Sequence, residues 1–116
     1  LSSPFLLISD PIIENRNLKL VKDLPKFVGK TVEIIGYLIT TKRTSTKHGE
    51  PMYLGTFIDM EGNWLDTAHF PAVAKQYRFK GKACYLLKGK VQESFQAHTL
   101  IVSEMYHLKM WVEGEN

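Results

Sequence analysis

A chain of 116 residues with 44% hydrophobic and 23% charged residues has the length and composition of one globular domain able to bury its own core. Its single cysteine, Cys84, excludes an internal disulfide framework and a Cys-x-x-Cys zinc site, and no apolar run approaches the roughly 20 residues of a membrane-spanning helix. The net charge of +3 is unevenly spread: Lys42 to Lys90 carries nine Lys and Arg against four Asp and Glu, and no acid stands between Asp66 and Glu93. Residues 1–23 hold two apolar clusters, Leu6-Leu7-Ile8 and Ile12-Ile13, broken by Pro4, Pro11 and Asn15-Arg16-Asn17. They read as a lead-in segment, partly extended or packed on the outside of a domain spanning 24–108. The chain starts on Leu without the basic opening of a signal peptide, and is expected to be a cytoplasmic fragment of a longer protein.

From Thr31 to Lys42 the residues are β-branched and aromatic, with Val32, Ile34, Gly36 and Leu38 alternating against Glu33, Ile35, Tyr37 and Ile39. This predicts a long strand, with Gly36 as a bend or bulge. The polar run Thr44 to Pro51 is a turn, and Met52 to Asp59 a second strand. Met60-Glu61-Gly62-Asn63 is a tight turn before a third strand, Trp64 to Phe70, which Pro71 ends. A short helix is expected over Ala72 to Tyr77, broken by Gly81. Ala83 to Glu93 is a fourth strand with Leu87, Gly89 and Val91 on one face and Lys88 and Lys90 on the other. Cys84 falls in its apolar run and is expected to pack there as a small hydrophobe. Ser94-Phe95-Gln96-Ala97 is a loop, His98 to Leu108 a fifth strand, and 109–116 a frayed polar tail.

Three strands, a short helix and two strands is the order of the OB fold, an all-β five-stranded Greek-key barrel with one short helix. A small barrel must bend its strands sharply, which explains the two mid-strand glycines better than a split β-sandwich does.

Thr46-Lys47-His48-Gly49-Glu50-Pro51-Met52, Asp59-Met60-Glu61-Gly62, Phe70-Pro71 and Lys88-Gly89-Lys90 follow one another in a specific order, preceded by Asp23-Leu24-Pro25, Gly29-Lys30 and Gly36-Tyr37. Over roughly residues 2–108 this series resembles the OB domain near the C-terminus of the bacterial DNA polymerase III α subunit. The stretch from Gly62 to Phe70 is one residue longer than the commonest family form and looks like the branch found in Bacteroidetes. The resemblance implies a single-stranded DNA-binding module that guides template strand toward an active site elsewhere in a nucleotidyltransferase. The implied partners are single-stranded DNA, the remainder of the polymerase chain and other replisome subunits, with no membrane.

The residues themselves agree with a strand-binding role. Single strands are held by bases stacking on side chains and by cations following phosphates. OB domains do this on the face of strands two and three, between the first-to-second and fourth-to-fifth loops. Here the first loop region supplies Lys42, Arg43, Lys47 and His48, and the last loop supplies Phe95 and His98. Phe95 at a loop tip either covers the barrel end or awaits a partner. Tyr37, Tyr53, Leu54, Thr56 and Trp64 are the candidate face residues, with Lys88 and Lys90 extending a basic track or solubilising an edge. If Val32, Ile34 and Leu38 fill the barrel, Tyr37 lies outside; on the second strand either Tyr53 and Phe57 or Leu54, Thr56 and Ile58 could be interior.

No catalytic centre is expected in this segment, and no cofactor or metal. Asp59 and Asp66 flank a hairpin without a third carboxylate nearby, so two-metal phosphoryl chemistry has no support. Asp59 is expected to cap its turn at the N–H of Glu61 or Gly62. His48, His69, His98 and His107 lack ligand spacing, and no serine stands in a nucleophile-elbow motif. Two alternatives remain, a tRNA-binding OB domain of the anticodon type and a replisome protein-interaction domain that uses 1–23 or the tail for docking.

Overall fold

The computed structural model describes residues 3–111. Its strands are β1 (Thr31–Ser45), β2 (Pro51–Ile58), β3 (Trp64–His69), β4 (Cys84–Ser94) and β5 (Ala97–His107), with one helix, α1 (Pro71–Gln76), between β3 and β4. They close into a barrel in the order β1-β2-β3-β5-β4, antiparallel throughout except for the short parallel β3–β5 contact. This is the OB-fold topology, and closure rules out the split sandwich.

Alternation decides what fills the barrel. Val32, Ile34 and Leu38 from β1, Phe57 from β2, Leu65 from β3, Tyr85, Leu87 and Val91 from β4, and Leu100, Val102 and Met105 from β5 form one buried cluster. Each such side chain, fully buried, contributes about 1.5–3 kcal/mol of hydrophobic stabilisation. Phe57 resolves the parity of β2: Phe57 and Gly55 face inward, and Leu54, Thr56 and Ile58 face outward.

The glycines of β1 and β4 are there for space. A Cβ on Gly36 would stand 2.9 Å from the Cβ of Phe57, and one on Gly89 would stand 2.4 Å from the carbonyl oxygen of Ile101. The expected bulge is real but lies elsewhere. Leu38 pairs with Phe57 and Thr40 with Thr56, so Ile39 is the extra residue. It reverses the parity of β1: even-numbered residues point inward before it, and Thr41 and Arg43 do so after it.

Residues 3–30 are built of three 3-10 turns, Pro4–Leu7, Pro11–Ile13 and Val21–Lys26. Phe5, Ile8, Ile12, Ile13 and Leu18 lie against the outer faces of β1, β4 and β5, burying Ile35, Cys84, Leu86 and Leu108. Cys84 is therefore wholly apolar in its surroundings, and burial pushes its thiol up to about 11. The third turn adds Leu24 to the barrel core. Asp59, fully buried, accepts from the N–H of Glu61 and Asn63 (both 2.9 Å) with one oxygen and from Val21 N–H (2.8 Å) with the other. It caps its turn as expected, with Asn63 rather than Gly62 as the second side-chain-bound donor, and also ties the lead-in to the barrel.

The chain beyond β5 is not frayed where it is described. Ser9 N–H donates to Lys109 O at 2.9 Å, Trp111 N–H to Leu7 O at 2.6 Å, and Met110 bridges Ile8. Residues 1–2 of the lead-in and 112–116 of the expected tail lie outside the described residues. Among the described residues no helix is long and apolar enough to cross a membrane.

Candidate nucleic-acid interface

The lead-in covers the β1–β4–β5 side of the barrel and leaves the outer face of β1, β2 and β3 bare. Register fixes the rows on that face. Lys42, Leu54 and Ala68 are successive cross-strand neighbours there, and the row then leaves the face through Ile101 of β5 to Lys90 on β4, which Thr31 of β1 flanks on its other side. The next row is Thr40, Thr56, Asp66 and Thr99, and below it Ile58 pairs with Trp64. Leu54 is 41% and Trp64 63% exposed, so the face presents apolar and aromatic surface to solvent.

Two turns project at opposite ends of the strands. Thr46 closes the β1–β2 turn, its Oγ1 accepting from the N–H of His48 and Glu50 (both 3.3 Å), which leaves Lys47 and His48 at the exposed tip. The β4–β5 connection is only Phe95-Gln96, since Ser94 and Ala97 still pair. Both residues have positive φ (50° and 65°), the geometry of a type I′ turn that glycine and asparagine favour. Phe95 is fully exposed, so it does not fold back onto the barrel end.

Other expected site residues are distributed differently. Tyr37 lies outside the barrel but within the second apolar cluster under the lead-in, away from the open face. Lys88 also lies on the covered side, 3.3 Å from Glu104 and across from Glu33, which pairs with Arg16. It belongs to a neutralised charge network, not to a basic track. Glu104 is held below the usual carboxylate range, chiefly by the hydroxyl of Tyr106 and then by Lys88. His98 stands opposite Glu93 on the β4–β5 ribbon, its Nε2 2.9 Å from the carboxylate but without the alignment of a hydrogen bond. The bulge turns Arg43 over the barrel end together with its neighbour Tyr53, into a cleft beside α1. The cations therefore divide between the open face (Lys42), the exposed outer side of β4 (Lys90), a loop tip (Lys47) and this cleft, instead of forming one continuous track.

Sequence reasoning placed neither Lys75, Arg78 nor Phe79 in a site, yet all three line the cleft with Arg43 and Tyr53. The available signal was the acid-free run from 67 to 92. His69 is buried inside the barrel, its Nε2 2.7 Å from Thr67 Oγ1, which is also 3.2 Å from Gly55 O. The one hydroxyl proton goes to the carbonyl if His69 Nε2 carries its own proton and donates to Thr67. Nδ1, which has no partner, is then a bare acceptor rather than a stranded N–H. Burial pulls the His69 pKa down to about 4, so the ring is neutral at pH 7.

Among the described residues no cluster of three or more His, Cys, Asp or Glu could hold a metal ion. Asp59 is consumed by its three backbone donors, and Asp66 stands exposed on the open face. No protein-family model matches the chain, and no curated protein sequence matches it.

Proposed function

We propose that this barrel binds single-stranded nucleic acid across the outer face of β1–β3, as a module of a larger replicative polymerase. The observation that carries the reading is the uncovered face bearing Leu54 and Trp64, edged by Lys42 and flanked by the tips that expose Lys47, His48 and Phe95. An unpaired base offers a π-face to Trp64 and Phe95, and stacking of this kind is worth about 1–3 kcal/mol per base. The lysines neutralise the backbone between the stacked bases. Asp66, central on the face, repels phosphate and so favours a path with bases inward and phosphates toward Lys42 and Lys47. The polymerase context rests on the motif series from Asp23 to Lys90 alone.

Titration of fluorescent oligo-dT at two salt concentrations tests the proposal. With two phosphate contacts (Lys42, Lys47) the log–log salt slope is about −1.4, so affinity falls about 7-fold between 50 and 200 mM salt. Equal affinity at both salts, or tighter binding of a tRNA stem-loop than of oligo-dT, would overturn it. A second reading, docking of a partner protein, is favoured by one observation. Leu6, Leu7 and Trp111 are exposed large apolar side chains brought to one place by the Trp111–Leu7 backbone bond. A protein that binds oligo-dT poorly but whose capture of another replication protein is lost in Leu6→Ser/Trp111→Ser supports that reading.

A further inference from the structure

We infer that the cleft between the β1–β2 hairpin and α1 is a second site, one that takes a nucleoside phosphate. The cleft has a volume of about 600 Å³, within the range of small-molecule sites. Tyr53 and Phe79 supply aromatic lining, in edge contact with ring centroids 6.1 Å apart. Arg43, Lys75 and Arg78 come to it from three different segments, against a single carboxylate, Glu50.

None of the three cations forms an ion pair among the described residues, although Arg16, Lys22 and Lys88 elsewhere on the protein do. Like charges gathered without partners repel one another, so an anion is the missing component. Guanidinium forks fit phosphate oxygens in bidentate fashion, and the aromatic wall fits a planar base. The segment carrying Arg78 and Phe79 is anchored in advance. Tyr85 Oη accepts from Lys80 N–H and donates to Gly81 O, each at 2.7 Å, from a ring buried in the core. Binding therefore does not have to order that segment. The phosphate can belong to a free nucleotide or to the end of a strand. This site does not depend on strand binding by the open face, whose residues lie outside the barrel on the other parity of β1 and β2.

The test is a ¹H–¹⁵N NMR titration of the whole chain with dTMP, thymidine and inorganic phosphate. dTMP is expected to shift the resonances of Arg43, Lys75, Arg78 and Phe79 with a Kd below about 1 mM, and the other two probes to bind about tenfold or more weakly. Lys75→Glu/Arg78→Glu, two changes at exposed positions, is expected to weaken dTMP about tenfold or more. The same variant should leave oligo-dT with a 5′-hydroxyl bound as before. Tighter binding of 5′-phosphorylated oligo-dT assigns the site to strand ends; equal binding of the two oligomers, with dTMP bound, assigns it to free nucleotide. The site is refuted if dTMP leaves these resonances unmoved, if phosphate alone matches it, or if the double variant binds dTMP normally. Failure of oligo-dT to bind while dTMP binds would overturn only the proposed function.

Discussion

Replacing the tip Phe95-Gln96 by Asn-Gly is expected to stabilise the barrel and weaken its grip on single strands. Both residues occupy left-handed backbone, which costs an ordinary side chain about 1 kcal/mol or more each. Asn tolerates that conformation and Gly adopts it freely, so about 2 kcal/mol of strain is removed. Glycine returns about 0.5–1 kcal/mol of that through the greater freedom of its unfolded chain. Phe95 is fully exposed, so no packing is lost in the folded state. The net gain of about 1 kcal/mol corresponds to a rise in Tm of about 4 °C for a domain of this size. If Phe95 stacks on a base, its loss lowers affinity by about 1–3 kcal/mol, or roughly 5- to 150-fold. Thermal unfolding by circular dichroism and oligo-dT anisotropy in one buffer give both numbers. General damage moves stability and binding the same way. A variant no more stable than the parent refutes the strain, and a more stable variant with unchanged affinity refutes the stacking role.

Stability is expected to depend on pH through His69. Its folded pKa of about 4 lies below the unfolded value of 6.5, so the unfolded chain binds more protons between those limits. The contribution is complete above pH 6.5 and is lost as pH falls toward 4, by about 3 kcal/mol. Urea unfolding at several pH values should show that slope, and His69→Leu should flatten it; Asp10 and Glu104, whose carboxyls sit below their ordinary values, act at lower pH. Asp59→Ala is expected to destabilise by about 3 kcal/mol or more, measured by urea unfolding, because three backbone N–H groups lose a charged acceptor. Asp59→Asn should be damaging too, since its amide nitrogen cannot accept from Val21 or from the 61/63 pair. Lys42→Ala and Lys47→Ala are each expected to reduce the salt slope of oligo-dT binding by about 0.7. Lys88→Ala, already neutralised by Glu104 on the covered side, should leave the slope unchanged.

The five strands, the helix and their order were legible from alternation and punctuation, although Thr44, Ser45, Pro51, Ser94 and Ala97, read as turn or loop, still pair as strand, and the 3-10 turns before β1 gave no such signal. Val32, Ile34 and Leu38 announce an inward face, Gly62 and the dipeptide Phe70-Pro71 announce ends, and Lys88 and Lys90 were correctly set opposite Leu87, Gly89 and Val91. These are local properties, because side-chain parity along one strand needs no knowledge of any other. The lysines and aromatics could be named as chemistry, but not located.

Only the closed barrel decided where they point. Ile39 has no residue type that marks a bulge. It becomes one because β1 must pair with β4 along its first half and with β2 along its second. That single extra residue sends Lys42 to the open face and Arg43 into the cleft. Likewise Tyr37 is an outward residue by parity, and only its place in the apolar cluster that residues 5–18 form over β1 and β4 half-buries it. Sequence alone determined which side chains alternate and where the chain turns; contacts between residues far apart in the chain determined which outer face stays open, since burial by a distant segment leaves no local periodicity to read.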